Sequence, residues 1–381
     1  MQVDDFEIIG KGSYGCVIKP ALKCQDNKDI YNNTVVYKDK ISKIQKKTDA
    51  EKENSFYKEL HKLPGANKFI LPKTILCKPH KDKLYKAVIN KCQHPRVSKI
   101  VNDDKDYNLL LANIGKSINN YQNPDVFKSI QSKIRLNFYN GISNLIEGLI
   151  FFKKNNIIHH DIKFENIVFN GYNLYYIDFG LLINKSEKYL SDKQLYYNKS
   201  HHYYPPETSC LYLENFNDDK NEKCKNIKDK ISSFKELVIK HSNTFDSYCL
   251  TDCFSDFFND LVDYQVFDLK ENVFLIESYN LFIEYCDIDI LQRNDDLNNL
   301  LTKYNELLES YKKDILSKPD NNESLLCNES LDHDKSLLCN ESLDSDEILK
   351  KAKRQKTTAK GKNKKTKNKK TKNKKTKNKK N

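Results

Sequence analysis

Residues 159–166 read H-H-D-I-K-F-E-N, and the triplet D-F-G follows at residues 178–180. The first stretch places an acid, Asp161, a lysine, Lys163, and an amide, Asn166, in one short loop, and the triplet adds a second acid. Transfer of a phosphoryl group from a metal-bound nucleotide needs a group that orients the attacking hydroxyl, a cation for the moving phosphate and oxygen ligands for magnesium. The two stretches therefore predict a phosphoryl-transfer site.

A glycine-rich segment near the N-terminus predicts contacts with the phosphates. It follows a strand-like run at residues 6–9 and leads into a second such run at residues 16–18. Glycines let the backbone approach phosphates closely and donate amides to them. Because a strand and not a helix follows the glycines, the pattern favours a flap over a nucleotide and disfavours a dinucleotide fold. The nucleotide-binding residues predicted here are Gly10, Lys11, Gly12, Ser13, Tyr14, Gly15, Cys16 and Val17.

These segments together resemble the glycine loop, catalytic loop and metal-binding loop of eukaryotic-type serine/threonine protein kinases. The resemblance covers about residues 4–312. It implies an α+β, two-lobed protein-kinase-like fold with a small β-rich N-lobe and a larger helical C-lobe. It also implies ATP and Mg²⁺ as cofactors, with Mn²⁺ as a substitute, and a protein as the substrate.

The resemblance gives each polar residue of the two loops a role. Asp161 is the base or hydroxyl-orienting acid, and Lys163 neutralises the γ-phosphate. Asn166 and Asp178 hold magnesium. His160 is a departure, because the family usually has arginine there. We therefore predict activity that does not depend on phosphorylation of the activation loop.

The resemblance also requires a lysine that contacts the α- and β-phosphates and a carboxylate that holds it. Lys38 ends the run V-V-Y-K, which is similar to the lysine-bearing strand of the family, and Lys40 is the alternative. Glu53 is the predicted partner, because the apolar residues after it have the spacing of the family's αC helix. Glu51 is the second choice.

Later features resemble the part of a protein kinase that docks peptides. Residues 205–207, P-P-E, resemble the A-P-E that closes the activation segment, and Arg293 is the predicted partner of the glutamate. Ser200 lies where serine/threonine kinases place a hydroxyl that contacts the catalytic lysine. Asp246 matches the aspartate that braces the catalytic loop.

The pattern of strands and helices sets the predicted boundaries. Within the kinase-like region we expect strands at residues 34–38 and 84–89, a helix at residues 49–61 and one long helix at residues 127–154. A nine-residue sequence, S-L-L-C-N-E-S-L-D, then occurs at residues 324–332 and again at 336–344, and low-complexity lysine repeats follow. The predicted divisions are an N-lobe at 4–111, a hinge at 112–116, a C-lobe at 117–312, an acidic repeat-containing linker at 313–349 and a disordered lysine-rich tail at 350–381.

The net positive charge belongs to the tail. Residues 350–381 hold 18 Lys and Arg and no acid, and subtracting these from the formal net charge of +12 leaves −6 for residues 1–349. Polyanions, including nucleic acid, acidic protein or an anionic surface, are the predicted partners of the tail. A solvated tail that mainly affects solubility, and a nuclear import signal, are the alternatives.

The cysteines and the absence of apolar runs predict a cytoplasmic protein, with the nucleus as an alternative reached through the tail. Eleven cysteines without disulfide-framework spacing predict reduced thiols. Zinc binding by Cys77, His80, Cys92 and His94 is a second interpretation with a non-standard spacing. We expect no signal peptide and no membrane helix.

Composition and motif spacing leave the origin and the activity with alternatives. The chain is rich in Asn, Lys, Ile and Tyr and lacks Trp. This composition is similar to that of kinases from large nucleocytoplasmic DNA viruses, for which the host cytoplasm or the virion is the expected location. A pseudokinase scaffold and a small-molecule kinase of the aminoglycoside or choline type, which shares the H-x-D-x-x-x-x-N spacing, are the other functions considered.

Overall fold

The computed structural model describes most of the region that resembles a kinase. Lys38 and Ser200 lie outside the described residues, as do Ser13, Tyr14 and residues 317–381. The described ranges are 5–12, 15–25, 40–72, 74–112, 115–184, 203–211, 222–231, 233–264 and 267–316.

The N-terminal lobe is built on a five-stranded antiparallel sheet in the order β1-β2-β3-β5-β4. Residues 10–12 of the glycine-rich segment lie in the first of these strands and residues 15–17 in the second, and the two strands pair with each other. The strands are β1 (Glu7–Gly12), β2 (Gly15–Lys19), β3 (Lys40–Lys46), β4 (Ile75–Cys77) and β5 (Asp106–Ala112).

The first helix, α1 (Lys47–Leu60), follows β3 directly and confirms the helix predicted near residues 49–61. Its buried face includes Ala50, Glu53, Tyr57 and Leu60, which recur every three or four residues as one face of a helix requires. This face turns a glutamate towards the site and an aromatic ring into the core. The helix therefore links the sheet to the interior of the larger lobe.

Two helices, α2 (Lys83–Cys92) and α3 (Pro95–Asn102), lie between β4 and β5 and pack on the sheet. The strand predicted at residues 84–89 is therefore wrong. Asp82 caps α2 by accepting a hydrogen bond from the Tyr85 amide at 2.7 Å. The buried residues Tyr85, Val88, Ile89 and Cys92 have the three- and four-residue spacing of a helix, which outweighs the β-propensity of the apolar run.

The C-terminal lobe is mostly helical. The single helix predicted at residues 127–154 is instead two, because the backbone at Gln131 is extended and separates α4 from α5. The elements are β6 (Lys116–Ser117), α4 (Pro124–Lys128), α5 (Ser132–Lys154), β7 (Ile157–Ile158), β8 (Ile167–Phe169), β9 (Leu174–Tyr176), β10 (Ile183–Asn184), α6 (Glu222–Lys228), α7 (Phe234–Asp263), α8 (Leu269–Ile283) and α9 (Leu297–Leu316).

One apolar core extends through the helical lobe and reaches α1. Gly141 and Gly148 of α5 allow this close packing, since a Cβ there would lie 2.8 Å from side-chain atoms of Leu174 and Tyr176. The two-lobed α+β fold expected from the sequence is confirmed. Within the described ranges, no helix is both long and apolar enough to cross a membrane.

Candidate active site

The predicted catalytic loop, residues 159–166, lies between β7 and β8 and holds the Asp161 carboxylate by several donors. Lys163 Nζ lies 3.0 Å from Oδ1 and 3.1 Å from Oδ2 of Asp161. Asn166 Nδ2 donates to Asp161 Oδ2 at 2.7 Å and to the Asp161 carbonyl at 2.8 Å. The structure thus brings together the three polar residues that the sequence singles out in this loop. Donors on both oxygens hold the side chain in one orientation.

Asp246, on α7, fixes the backbone of the loop, as the resemblance implies. Its Oδ2 accepts from the His159 amide at 2.6 Å and its Oδ1 accepts from the His160 amide at 3.0 Å. The ring of His159 is fully buried, and burial lowers the pKa of its imidazole. Neutral His159 donates through Nε2 to the Ile177 carbonyl at 3.0 Å. This bond ties the catalytic loop to the strand that precedes Asp178.

His160, the departure from the family pattern, has a structural role. Its φ is +65°, in the left-handed region, and its ring stacks on Phe245 with centroids 4.6 Å apart. The Tyr204 hydroxyl donates to the His160 carbonyl at 2.9 Å. His160 therefore contributes packing and backbone geometry between the loop and α7.

A lysine joins β3, α1 and the D-F-G triplet in one ion-pair network. Lys43 Nζ lies 2.8 Å from Glu53 Oε2 and 2.8 Å from Asp178 Oδ1. Burial disfavours the charged amine, but Asp178 and Glu53 together raise the pKa of Lys43 above its ordinary value. The same amine lowers the pKa of Asp178, although burial opposes this effect. The network keeps a permanent positive charge beside a carboxylate.

The lysine in contact with Glu53 is thus Lys43, a residue that the sequence analysis did not choose. Lys38 lies outside the described residues, and Lys40 is the first residue of β3. Lys43 reaches Glu53 because it lies in mid-strand, paired with Val17 and Leu109 on either side. The motif V-V-Y-K resembles the family pattern more closely than K-I-S-K does, which is why the sequence favoured Lys38. The choice of Glu53 over Glu51 agrees with the contact.

The D-F-G triplet adopts a conformation that leaves the acid partly exposed and buries the ring. Asp178 has a φ of +62°, and its side chain is 29% exposed. Phe179 is fully buried, with its ring centroid 5.2 Å from that of Tyr57 and 4.7 Å from that of His159. The aromatic contacts hold the turn, so that the Asp178 carboxylate stays beside Lys43.

The glycine-rich turn lies against β3. A Cβ on Gly15 would lie 1.9 Å from the Ile44 carbonyl oxygen, so only glycine fits there. Gly10 and Lys11 pair with Val17 and Cys16 across the turn, and Gly12 pairs with Gly15. Six of the eight predicted residues of this segment are therefore placed in two adjoining strands.

The predicted pair of Glu207 and Arg293 is present, and it has a third member. Arg293 Nη1 and Nη2 donate to the two oxygens of Glu207 at 2.7 and 3.0 Å. His241 Nδ1 lies 2.9 Å from Glu207 Oε1, a partner that the sequence analysis missed. Burial opposes ionisation, but hydrogen bonds from His241 and Arg293 lower the pKa of Glu207 to about 2. The ion pair between Glu207 and Arg293 anchors the segment of residues 203–211 to the helical lobe.

Tyr203 is a further residue that sequence reasoning missed. Its hydroxyl donates to Asp161 Oδ1, and Lys163 Nζ donates to the same hydroxyl at 3.3 Å. Burial raises the pKa of Tyr203, as does the Asp161 charge, so the phenol stays protonated. Its position four residues before Glu207 is the one feature of the sequence that could have indicated a role for Tyr203.

The cysteines are the clearest disagreement with the sequence analysis. Disulfides join Cys16 to Cys92, Cys24 to Cys77 and Cys210 to Cys224. The prediction that the chain carries only reduced thiols is therefore wrong. Partners 76, 53 and 14 residues apart are brought together by the fold, and their spacing has no recognisable periodicity.

Two of these disulfides also remove the zinc interpretation, because they use both of its cysteines, Cys77 and Cys92. In the described part of the chain, no group of three or more His, Cys, Asp or Glu side chains could hold a metal ion. Magnesium does not require such a group, since it keeps several waters and takes few protein ligands. The Asp178 carboxylate and the amide oxygen of Asn166 are ligands of the type that Mg²⁺ prefers, so these residues fit the ion.

A comparison with known families agrees with this geometry. A family model described as protein tyrosine and serine/threonine kinase matches residues 3–217, which is more than half of the chain. This range includes the glycine-rich segment, both predicted catalytic segments and Glu207. No curated protein matches the chain by sequence.

Proposed function

We propose that this chain, which belongs to the protein tyrosine and serine/threonine kinase family, transfers the γ-phosphate of ATP to serine or threonine hydroxyls of proteins. The observation that carries the proposal is the position of Lys43, whose amine contacts Glu53 and Asp178 together. A charged lysine held beside a carboxylate suits the phosphates of a magnesium-bound nucleotide. Asp161, Lys163 and Asn166 complete the set of groups that the transfer requires.

The chain's own residues account for the transfer step. The acceptor hydroxyl donates a hydrogen bond to Asp161, which orients its oxygen towards the γ-phosphorus and takes its proton as the new O–P bond forms. The bond from the γ-phosphorus to the β,γ-bridging oxygen breaks, and ADP leaves. Lys163 offsets negative charge on the transferred group, and Lys43 does so at the remaining phosphates. Magnesium, bound by Asp178 and Asn166, would offset the charge that develops on the phosphate oxygens.

Several features favour a protein as the acceptor over a small molecule. Glu207 and Arg293 hold the segment after Tyr203 in place, as a docking platform for a peptide requires. The family match includes this segment. Specificity for serine or threonine rests on Lys163 and Ser200, the residue types that the resemblance associates with that class. The pseudokinase alternative is disfavoured because each catalytic position carries a residue able to perform its role.

Phosphate transfer to protein by the full-length chain tests the proposal. Parent protein, Asp161→Asn and the control Asp125→Asn, an exposed residue of α4, are incubated with radiolabelled ATP, Mg²⁺ and casein, histone or myelin basic protein. We expect Asp161→Asn to lose about 10²- to 10⁴-fold in rate, since a positioned base contributes that much, and Asp125→Asn to keep the parent rate. Phosphoserine or phosphothreonine in the product supports the assigned class, whereas phosphotyrosine alone contradicts it. Equal transfer by parent and Asp161→Asn contradicts the catalytic assignment.

The lysine-rich tail is proposed to bind polyanions. Its 18 Lys and Arg residues without an acid would release condensed counterions on binding, so affinity should fall as salt rises. Binding of heparin to the parent and to a variant with the tail lysines changed to glutamine measures this contribution. A binding constant that is the same for both proteins at low salt contradicts the proposal.

The compartment and the origin of the chain are also proposals. Composition favours a cytoplasmic or nuclear location and a viral origin. The three disulfides of the described residues argue against a reducing compartment, because structural disulfides are rare there. Alkylation of free thiols in intact cells, before lysis, tests the location through the redox state of Cys210 and Cys224. Fully alkylated cysteines favour a reducing compartment.

A further inference from the structure

The hydroxyl of Tyr203 lies on the carboxylate that the proposed reaction uses as its base. It donates to Asp161 Oδ1 and accepts from Lys163 Nζ at 3.3 Å. The side chain is buried, with 7% of the residue exposed, and Lys163 Nζ lies 5.2 Å from the centre of its ring. The phenol therefore contacts both residues of the loop that an acceptor hydroxyl is expected to meet.

These contacts, together with that of Asn166, occupy the hydrogen-bond acceptor sites of the Asp161 carboxylate. Oδ1 accepts from Lys163 and Tyr203, and Oδ2 accepts from Lys163 and Asn166. An ionised carboxylate has about four lone-pair sites for hydrogen bonds. A substrate hydroxyl must use one of these sites to reach the base. One of the donors present must therefore leave before a substrate binds productively.

Tyr203 is the donor that can leave without dismantling the site. Lys163 and Asn166 belong to the same loop as Asp161 and have their own roles in the reaction. Tyr203 comes from the segment before Glu207, and its contribution is an uncharged O–H group, the same group that a substrate offers. Because its pKa is raised by burial and by Asp161, it remains a hydroxyl at neutral pH.

We propose that Tyr203 occupies the acceptor position of this site, so that a protein hydroxyl reaches Asp161 only after the Tyr203 side chain has moved away. The inference rests on the proposed role of Asp161. The backbone at Tyr203 is held by the Cys249 thiol, whose sulfur lies 3.6 Å from the Tyr203 carbonyl oxygen, and the adjoining Tyr204 hydroxyl is bonded to the His160 carbonyl. Opening therefore involves rotation of the Tyr203 side chain on an anchored segment. The closed state competes with protein substrate. The Tyr203 hydroxyl bonds to Asp161 and Lys163, whereas Lys43 bonds to Asp178, so we expect nucleotide binding to be unaffected.

The chain contains a matched control one residue away. Tyr203→Phe removes the hydroxyl on Asp161, and Tyr204→Phe removes a hydroxyl from the same segment that contacts a carbonyl oxygen instead. Both changes keep the aromatic ring. Tyr203→Ala removes the ring as well, and its thermal unfolding shows whether it has folded.

The test uses the full-length proteins with dephosphorylated casein as the probe. Binding of fluorescein-labelled casein is measured by anisotropy with Mg²⁺ and a non-hydrolysable ATP analogue, and KM for casein and KM for ATP are measured by phosphate transfer. A hydrogen bond to a charged group is strong enough to shift such an equilibrium about tenfold. We expect Tyr203→Phe to lower both the Kd and the KM for casein about tenfold, with KM for ATP unchanged. Folded Tyr203→Ala should show at least the same gain, and Tyr204→Phe should show none.

The opposite results separate two different failures. A fall in kcat for Tyr203→Phe with an unchanged casein Kd overturns the inference and makes Tyr203 a residue that positions Asp161. Equal gains for Tyr203→Phe and Tyr204→Phe also overturn it, because a general loosening of the segment would explain both. Parent protein that binds casein but transfers no phosphate counts against the proposed function, while the binding comparison still decides the position of Tyr203.

Discussion

The Lys43 amine lies 2.8 Å from Glu53 Oε2, a contact that joins the third strand of the sheet to the first helix. Gln45 Nε2 donates to the same oxygen at 3.1 Å, so the glutamate has a second support from the strand. The pair is buried, and the amine also contacts Asp178. Loss of Lys43 removes the charged partner of the buried Glu53 carboxyl group, which is a costly change, whereas loss of Glu53 leaves Lys43 paired with Asp178.

Changing Lys43 should therefore affect phosphate transfer far more than changing another lysine of the same strand. We expect Lys43→Ala to lower kcat/KM for ATP about 10²-fold or more, because a charge that offsets the phosphates is lost. Lys40→Ala should stay within about twofold of the parent. Steady-state transfer to casein at varied ATP concentration measures both. A greater loss in Lys38→Ala than in Lys43→Ala would restore the assignment first made from the sequence.

Most residues of the candidate site could be identified from the sequence because they lie close together along the chain. Asp161, Lys163 and Asn166 are within one loop, and their offsets are set by the backbone geometry of that loop. Lys43 and Tyr203 depend on distant partners, so short-range pattern could not identify them. The V-V-Y-K run resembles the family pattern more closely than the segment that ends at Lys43, and nothing near Tyr203 indicates that its side chain turns towards Asp161.

The helices α2 and α3 and the disulfides likewise show where short-range sequence patterns fail to predict the fold. Residues 84–89 are apolar enough for a strand, yet Asp82 and the buried face of α2 specify a helix. That signal was available in the spacing of Tyr85, Val88 and Cys92. Pairing of Cys16 with Cys92 was not available, because it depends on how α2 packs against the sheet.

Removal of the Asp178 carboxylate should abolish phosphate transfer because Mg²⁺ binding is weakened, and not because the protein unfolds. Asp178→Asn keeps the shape of the side chain but replaces its negative charge, which pairs with Lys43, by a neutral amide whose single oxygen binds Mg²⁺ less strongly than a carboxylate. We expect more than a 10²-fold loss of kcat and a rise in the Mg²⁺ concentration needed for half-maximal activity. Titration of Mg²⁺ in the transfer assay measures both, and chelation by EDTA should stop the parent enzyme. Asp125→Asn serves as the control, and an unchanged Mg²⁺ requirement in Asp178→Asn would exclude it as a ligand.

Acid should weaken the protein through Glu207. The folded-state pKa of about 2 lies below the ordinary value of 4.5, so the stabilisation is present above pH 4.5 and is lost as the pH falls towards 2. This shift corresponds to about 3 kcal/mol. Urea unfolding at pH 7, 4.5 and 3 should show a smaller acid loss in Glu207→Gln than in the parent. The variant should already be less stable at pH 7 by roughly 3–5 kcal/mol, because Arg293 loses its buried partner.

An exposed ion pair provides the comparison for this experiment. Glu51 lies 3.7 Å from Lys47 on α1, with about half of each side chain exposed. Glu51→Gln should change stability by less than about 1 kcal/mol, because exposed pairs contribute little. Equal acid sensitivity of the parent and Glu207→Gln would mean that Glu207 is not the group that titrates.

The disulfide between Cys16 and Cys92 should couple reduction to both stability and nucleotide affinity. The disulfide links β2, which begins at Gly15, to α2. Breaking it removes this support from the strand that follows the glycine-rich segment. Cys16→Ser and Cys92→Ser should each lower stability by about 2–4 kcal/mol, and the two losses should be equal because either change breaks the same bond. We expect KM for ATP to rise in both, and Cys286→Ser, at a free cysteine, to leave it unchanged.

Thiol titration of the unfolded, unreduced chain checks the premise: three disulfides withhold six of the eleven cysteines, so at most five should react. Reaction of all eleven would show that the isolated protein is reduced, and the shared effect of the two variants should then disappear.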